Sequence, residues 1–518
     1  MKYIALTLGP ITRTIEMAEN TRGLWAASYL FSYLGKKIIE PFKEREYLLP
    51  YISDEMFSKT FNGAGVFPDR YIFKVPNGVD DFTILKSHIE EVYDELVKKI
   101  SPIVGNSNDV VKDYLKKYLK IYFFEKDFSD MSDIDIKTSC EKSLALLENQ
   151  DSLIPSLKDE DSILTRFFDR VTNTFLTKDG GLSGGFPTIV KISSGETDEI
   201  PPHPYQRYVA VVKADGDSMG NAFSTLGEDS QNLSAALFEF NKAAVEIITK
   251  YKGLSVYIGG DDLLFFAPIF TESGSIFSLL KELDDSFHSN IKTKCPELKE
   301  HPTLSFGVSI TYYKYPMFEA LSLADNLLEK AKGKGEEKID APLKNNILFA
   351  VQKHSGQSRE AVMHKYCCGT MEKFNELVSD LMTDIVSEDN QDEEKEKEKT
   401  KEKKMLSSVM HVLREKEFLL LIAIRKESTI KNFFDNNFNE VGHKKYSKFF
   451  GELRTLLWTA YHEYNIEGVL NRLKNSLPET MNGSKNMTAE KMAIEIAYNA
   501  LQFVHLVNQR NDKQDENI

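Results

Sequence analysis

Four aspartates in two short stretches have the types and the spacing to do chemistry. Asp215 and Asp217 stand in "RYVAVVKADGDSMG", and Asp261 and Asp262 in "LSVYIGGDDLLFFAP". Each pair adjoins an apolar run, where simple burial does not place a carboxylate. Packed like charges raise each other's pKa unless a cation is present. Mg²⁺ removes the conflict, because it takes hard oxygen ligands, uses one or two carboxylates, and completes its octahedron with water and substrate phosphates. The glycines suit the same chemistry. Gly259 and Gly260 let a hairpin bend tightly and a triphosphate come close, while Gly216 and Gly220 leave amides in the turn free for phosphate oxygens. With two ions, one activates a hydroxyl and the other steadies the departing pyrophosphate. The expected reaction is therefore nucleotidyl transfer, a ribose 3′-hydroxyl attacking the α-phosphate of a nucleoside triphosphate. A Gly-Gly-Asp-Asp turn alone can be no more than a polar hairpin tip; the Asp-x-Asp on the strand before it gives the pattern its meaning.

The elements around these residues follow from periodicity. "RYVAVVKA" reads as a buried strand running into the polar turn "DGDSMG". Leu233, Leu237, Phe240, Ala244, Ile247, Ile248 and Tyr251 then mark one helical face, which Gly253 ends. "LSVYI" and "LLFFAP" form a hairpin around "GGDD". A second helix carries Ile276, Leu279, Leu280, Leu283 and Phe287, followed by the strand "LSFGVSITYY" and a third helix in "PMFEALSLADNLLEKAK". The order β-α-β-β-α-β predicts a ferredoxin-like unit in which the strand of Asp215 and the hairpin are neighbours. Lys332 and Lys334, after the third helix, can reach phosphate or can simply be cations at a helix C-terminus.

The N-terminus repeats the unit in degenerate form. "YIALTLGPI" has the place of "YVAVVKADG", Leu24, Ala27, Phe31, Leu34 and Ile38 form a helical face, and "FNGAGVFPDRYIFKV" imitates the hairpin with Asp69 for Asp261. Counting from Tyr3 and Tyr208, Pro10 falls where Asp215 stands, so this copy lacks the acid of its first strand. Residues 80–180 read as mostly helical. "DYLKKYLKIYFFEK" places Tyr114, Tyr118 and Tyr122 at i, i+4 spacing beside Lys116, Lys117 and Lys120, an amphipathic helix packed inward or a stacking surface for single strands. "FPTIVKISS" is the expected closing strand of the first copy.

The fold class expected is α+β: two ferredoxin-like, cyclase-like palm domains with a helical insertion and a C-terminal helical bundle. The domains expected are 1–200, a degenerate first palm with its insertion at about 80–180; 201–345, a second palm with the GGDD site; and 346–518, α-helical, with a charged low-complexity segment at 387–404. Tyr446, Phe449, Phe450, Leu453, Leu457, Ala460, Tyr461 and Tyr464 mark one C-terminal helix face, and Met492, Ile496, Leu501, Phe503 and Val504 another. Contact with neighbouring subunits is the work expected of this bundle.

The 518 residues carry 65 basic and 79 acidic side chains, a net charge of -14, which excludes nucleic-acid binding by bulk charge. No apolar run reaches the roughly 20 residues of a membrane span, and the N-terminus does not read as a signal peptide, so a cytoplasmic protein is expected. The four cysteines, Cys140, Cys295, Cys367 and Cys368, form no CxxC pattern and read as reduced thiols. The ten histidines make no cluster and no His-Asp dipeptide; His203 and His354 read as structural or exposed. No P-loop and no nucleophile elbow occurs.

"KADGDSMG" followed by "YIGGDDLLFF", after "YIALTLGPI…TRGLWAASYLFSYLGKKI" and "GAGVFPDRYIF", resembles the large polymerase/cyclase subunit of type III CRISPR effector complexes, in its type III-B form. The likeness runs over nearly the whole chain. It implies that target RNA, held by guide RNA and other protein subunits, switches on the GGDD palm, which then joins ATP into a nucleotide second messenger, a cyclic oligoadenylate. Asp215, Asp261 and Asp262 match the catalytic, metal-binding acids for Mg²⁺ or Mn²⁺. Asp217 supports them, and the turn Gly216, Asp217, Ser218, Met219 and Gly220, with Gly259 and Gly260, borders the nucleotide; Lys332 joins this cofactor-binding set from its place after the third helix. The resemblance implies two nucleotides between the palms, with the first palm contributing binding but no metal site. Many relatives begin with an HD-type nuclease domain; this sequence begins at the first palm, so no DNA cleavage is expected of it, and no cysteine zinc site has a counterpart. The alternatives are the same adenylyl transfer to S-adenosylmethionine, a catalytically silent scaffold, and a free-standing cyclase.

Overall fold

The structure is a computed structural model that describes the chain except residues 19, 129–130, 151–161, 183–185, 196–200, 202, 336–341, 354–357, 366–368, 388–404, 439–445, 479–486 and 509–518. Most of the charged segment, Cys367, Cys368 and His354 therefore lie outside the described residues.

Two sheets organise the palms. The first contains β1 (Lys2–Gly9), β2 (Tyr47–Leu49), β3 (Arg70–Lys74) and β4 (Lys120–Asp127), all antiparallel, in the order β2-β3-β1-β4. The second contains β5 (Tyr208–Asp217), β6 (Leu254–Gly259), β7 (Asp262–Pro268), β10 (Thr303–Tyr312), β11 (Asn346–Gln352) and β12 (Ser358–His364), with a two-stranded ribbon of β8 (Phe270–Thr271) and β9 (Gly274–Ser275) between β7 and β10. Its order is β12-β11-β10-β5-β7-β6. The run β10-β5-β7-β6 has the same ferredoxin-like arrangement as β4-β1-β3-β2, so the expected repeat of the unit is present.

Both faces of the second sheet are buried, which explains the continuous apolar runs of its strands. Ala210, Val212 and Ala214 pack under the Ser230–Lys250 and Ile276–Lys294 helices through Phe240, Leu280 and Phe287. Val209 and Val211 face the Met317–Ala331 helix through Ala320 and Ala324, together with Leu24 of the Thr21–Ile39 helix. That helix thus joins the two palms. They are also tied by Phe238, which stands between Tyr51 and Phe61, and by a Lys242–Glu55 ion pair of 3.1 Å.

Several expectations are corrected. The first palm has no hairpin. Its β2 and β3 are separated by a long connection that includes the Asp54–Ser58 helix. "KIYFFEK" is not the end of a helix: the Asn108–Tyr118 helix stops, and β4 pairs with β1 along its length and closes the sheet. "TIVKISS" is a helix, Ile189–Ser194, started by the Thr188 hydroxyl accepting from the Lys191 amide at 3.1 Å and stopped by Gly195 at φ +74°. Tyr118 is buried and its ring stacks on Tyr114 at 5.7 Å, while Tyr122 lies on β4, so the three rings form no single-strand platform. Beyond residue 340, β11 and β12 extend the second sheet before the helices begin. β11 runs parallel to β10, reached by a crossover through the Met317–Ala331 helix. The Thr370–Ser387, Ser447–Tyr464 and Ala489–Val507 helices then pack as a bundle, with Phe449, Leu453, Leu457, Met492 and Val504 buried as their periodicity requires. Cys140 and Cys295 are buried free thiols. Among the described residues no helix is long and apolar enough to cross a membrane.

Candidate active site

β5 ends in the polar turn, and the β6–β7 hairpin ends beside it. Gly259 pairs with Asp262, leaving Gly260 and Asp261 as the loop. Gly260 has φ +65° and Asp261 does not share that conformation, the pattern of a tight hairpin with glycine at its first loop position. Asn241, buried on the Ser230–Lys250 helix, holds this tip. Its side-chain nitrogen donates to the Gly260 carbonyl at 2.8 Å and its oxygen accepts from the Gly260 amide at 2.9 Å, the orientation in which both ends of the carboxamide meet complementary groups. Sequence reasoning missed Asn241. The signal available was a polar residue at a core position of that helix, between Leu237 and Ala244.

The strand pairing brings Asp215 to the hairpin carboxylates. Asp261 and Asp262 both lie close enough to the Asp215 carboxyl to feel its charge, and the Lys332 ammonium pairs with Asp215. Lys332 also donates to the Gly216 carbonyl at 3.1 Å. Desolvation first, then repulsion from Asp215, pushes Asp261 up to about 6. Asp262 has an accessible edge on the cleft, yet the atoms crowding it, with Asp261 and Asp215, push it up to about 7; Lys332 opposes both effects. The three acids are thus strained by like charge, with one ammonium as partial relief.

The remaining expected residues separate into two groups. Ser218 and Gly220 are exposed at the start of the Met219–Leu226 helix, and a Cβ on Gly220 would meet nothing within 4 Å. The other group is structural. Asp217 is 2% exposed, and one of its oxygens accepts from the hydroxyls of Thr303 and Ser305, both at 2.8 Å, and from the Asn345 amide at 2.9 Å. Burial holds its pKa above the ordinary value despite these bonds. It therefore fastens β5 to β10 and to the start of β11. Met219 is buried in the core. Gly216 is set by packing, since a Cβ there would lie 2.6 Å from an Asp261 carboxylate oxygen and 2.6 Å from Met219 Cγ. Gly259 answers to its neighbour, as a Cβ there would lie 2.5 Å from the Tyr257 hydroxyl. Lys334 turns away to Glu329 at 3.1 Å.

Two cavities meet at the palms' boundary. One of about 510 Å³ is lined by Thr12, Glu16 and Asp69 of the first palm and by Lys213, Tyr257 and Asp262 of the second. Another of about 400 Å³ lies in the first palm, between Arg13, Arg70, Tyr118, Lys120 and Tyr122, and shares Asp69. Asp69 thus faces the cleft without entering the acid cluster.

Among the described residues no group of three or more acids, histidines or cysteines is placed to hold a metal ion. The chemistry of the donors suits Mg²⁺ or Mn²⁺ bound by one or two of the carboxylates of Asp215, Asp261 and Asp262, since these ions take hard oxygens and leave their other positions to water and phosphate.

Residues 208–340 match the family model described as Cas10/Cmr2, second palm domain, and residues 3–102 that of CRISPR-associated protein Cmr2, N-terminal. The CRISPR system Cmr subunit Cmr2 of Pyrococcus furiosus is 30% identical over 178 residues, 29% of this chain and 19% of that protein, so the match spans about a fifth of the relative. Similar solved structures include type III-B Cmr-beta in the apo state, at 12% identity and TM-score 0.45 over 70% of each chain. Cmr-beta bound to cognate target RNA aligns at 12% identity and TM-score 0.46, over 98% of this chain and 83% of that one. The Csm1–Csm4 cassette in complex with cA4 aligns at 13% and 0.47, over 97% and 70%.

Proposed function

We propose that this chain, which belongs to the Cas10/Cmr2 family of type III-B CRISPR subunits, is the nucleotidyltransferase of its effector complex: activated by target RNA, it joins ATP into a cyclic oligoadenylate. The observation that carries this reading is the convergence of Asp215 with Asp261 and Asp262, with Lys332 paired to Asp215 and Asp262 lining an interpalm cavity.

Asp215, Asp261 and Asp262 are the residues that would hold Mg²⁺ or Mn²⁺. Bound there, the ions supply activation of the attacking hydroxyl and neutralise charge on the leaving pyrophosphate. The chain's own groups do the rest. Lys332 supplies a fixed positive charge beside the acids, suited to a triphosphate. Ser218 and Gly220 are exposed just after the strand of Asp215, where their backbone could meet phosphate oxygens. Asn241 and Gly216 fix the hairpin so that Asp261 cannot drift from Asp215. The cavities of about 510 and 400 Å³ fall in the range of small-ligand sites and give room for donor and acceptor nucleotides on the two palms. Guide RNA, target RNA and the other subunits are the partners in this reading, and the cytoplasm its location.

The test is to incubate the assembled complex with target RNA, Mg²⁺ and labelled ATP and to identify products by mass. A product that needs RNA and is lost in Asp261→Ala and Asp262→Ala supports the reading. An RNA-dependent product retained in both variants would falsify it, and no product at all leaves a scaffold. Adding S-adenosylmethionine reads the acceptor: an AMP conjugate replacing the oligoadenylate would redirect the proposal.

A further inference from the structure

The residue that brings positive charge to the acids, Lys332, is the last residue of a helix end with unusual support. The Met317–Ala331 helix closes in a Schellman turn: the Lys334 amide donates to Glu329 at 3.0 Å, the Gly333 amide to Lys330 at 2.9 Å, and Gly333 has φ +75°. Three carbonyls of this turn accept side-chain hydrogen bonds from elsewhere in the chain. The Ser476 hydroxyl donates to Lys330 at 2.7 Å, the Asn475 carboxamide to Gly333 at 3.0 Å, and the Asn346 carboxamide to Ala331 at 2.8 Å. Asn475 and Ser476 belong to the short Lys474–Ser476 turn that follows the C-terminal Val469–Arg472 helix. Just before them, the Arg472 carbonyl accepts from the Leu343 amide at 2.9 Å. Asn346 is itself tied to the bundle: its oxygen bonds to the His364 ring at 2.9 Å, and the His364 amide donates to the Tyr464 hydroxyl at 2.8 Å.

The C-terminal helical region therefore grips both sides of the segment that carries Lys332. A lysine stem is flexible, so where its ammonium can rest depends on where its backbone is fixed. We propose that Asn475 and Ser476 are positioning residues for Lys332, through which the C-terminal helical region sets the charge balance at Asp215. This rests on the nucleotidyltransferase reading above. It gives the bundle a part in synthesis without any contact to nucleotide.

The experiment is a double-mutant cycle on the assembled complex with target RNA, reading KM for ATP and kcat alongside thermal unfolding. In the wild-type background, Asn475→Ala with Ser476→Ala is expected to lower kcat/KM by roughly tenfold, and Ser476→Thr, which keeps the hydroxyl, to stay near wild type. In a Lys332→Ala background the same double change is expected to cost nothing further. Should the double variant lose its unfolding transition, Asn475→Asp, which keeps the shape and removes the donor, carries the same cycle. An equal fold-loss in both backgrounds, or no loss where Lys332→Ala is itself impaired, overturns the inference and leaves the functional reading standing. No RNA-dependent synthesis by the wild type overturns that reading, and this inference with it.

Discussion

The two palms have one strand order and different strand ends. In the second palm β5 runs on beyond its pairing with β7, still paired with β10, to Asp217, and carries Asp215 toward a hairpin whose loop is Gly260 and Asp261. In the first, β1 stops at Gly9, Pro10 turns the chain into the Ile11–Glu16 helix, and the tight hairpin is replaced by a long connection. The contrast shows that the sheet is held by apolar burial on its faces, while the site is made at the strand ends, where a few residues decide whether carboxylates can meet. Asp69 survives in the first palm, but without a partner at position 10 it faces the cleft alone.

The largest expected effect breaks the symmetry outright. Asp215→Ala or Asp261→Ala should reduce RNA-dependent product by about a thousandfold, the scale of removing several kcal/mol of charge stabilisation. Asp69→Ala should keep synthesis within about tenfold of wild type. Mass-resolved product quantitation reads both, and comparable losses would mean that the first palm is not catalytically empty.

Gly216→Ala against Gly9→Ala tests the strand ends next. A Cβ at Gly216 collides with Asp261 and Met219, whereas one at Gly9 has nothing within 4 Å. The first change should cost about 1–3 kcal/mol and most of the activity, and the second neither. Chemical denaturation with a parallel synthesis assay separates them.

Asn241→Ala removes both bonds that hold Gly260 and should lower synthesis by roughly tenfold, with about 1–3 kcal/mol of stability lost because the Gly260 amide and carbonyl lose their partner. Asn241→Asp is a finer probe, since it keeps an acceptor for the amide and removes the donor.

The smallest effect is in stability against pH. Asp261 has its folded pKa near 6, above the ordinary carboxyl value, so the native state binds its proton more tightly than the unfolded chain. Its contribution therefore turns unfavourable as pH rises from about 4 through 6, and the penalty is complete above that. Without divalent cations, Asp261→Asn should be more stable than wild type by about 1 kcal/mol at pH 7.5, discounted for solvent screening, and equal to it near pH 4. Mg²⁺ should raise the wild-type melting temperature more than that of the variant. A variant less stable at pH 7.5 would show that the acids are not in conflict.

The sequence alone determined the parts governed by local pattern. The alternating and continuous apolar runs of β5 to β7, the helical faces around Phe240 and Leu280, and the two-glycine turn each have a physical period or a backbone requirement that survives without neighbours. It could also place Asp215 beside Asp261, because ferredoxin-like topology makes their strands adjacent. Tertiary structure decided the rest. "KIYFFEKD" became a strand because β1 offers it an edge, although its residues are only half-buried and follow a helix without a break signal. "NILFAVQ" is an apolar run with no alternation to tell strand from helix, and it is a strand because β10 and β12 cover both its edges. Asp217 and Asp215 are two residues apart and alike in type. Only the arrival of Thr303, Ser305 and Asn345 makes one a buried fastening and leaves the other to meet the hairpin and Lys332. A carboxylate's role depends on what desolvates it and what donates to it, and those groups come from parts of the chain that no local pattern brings together.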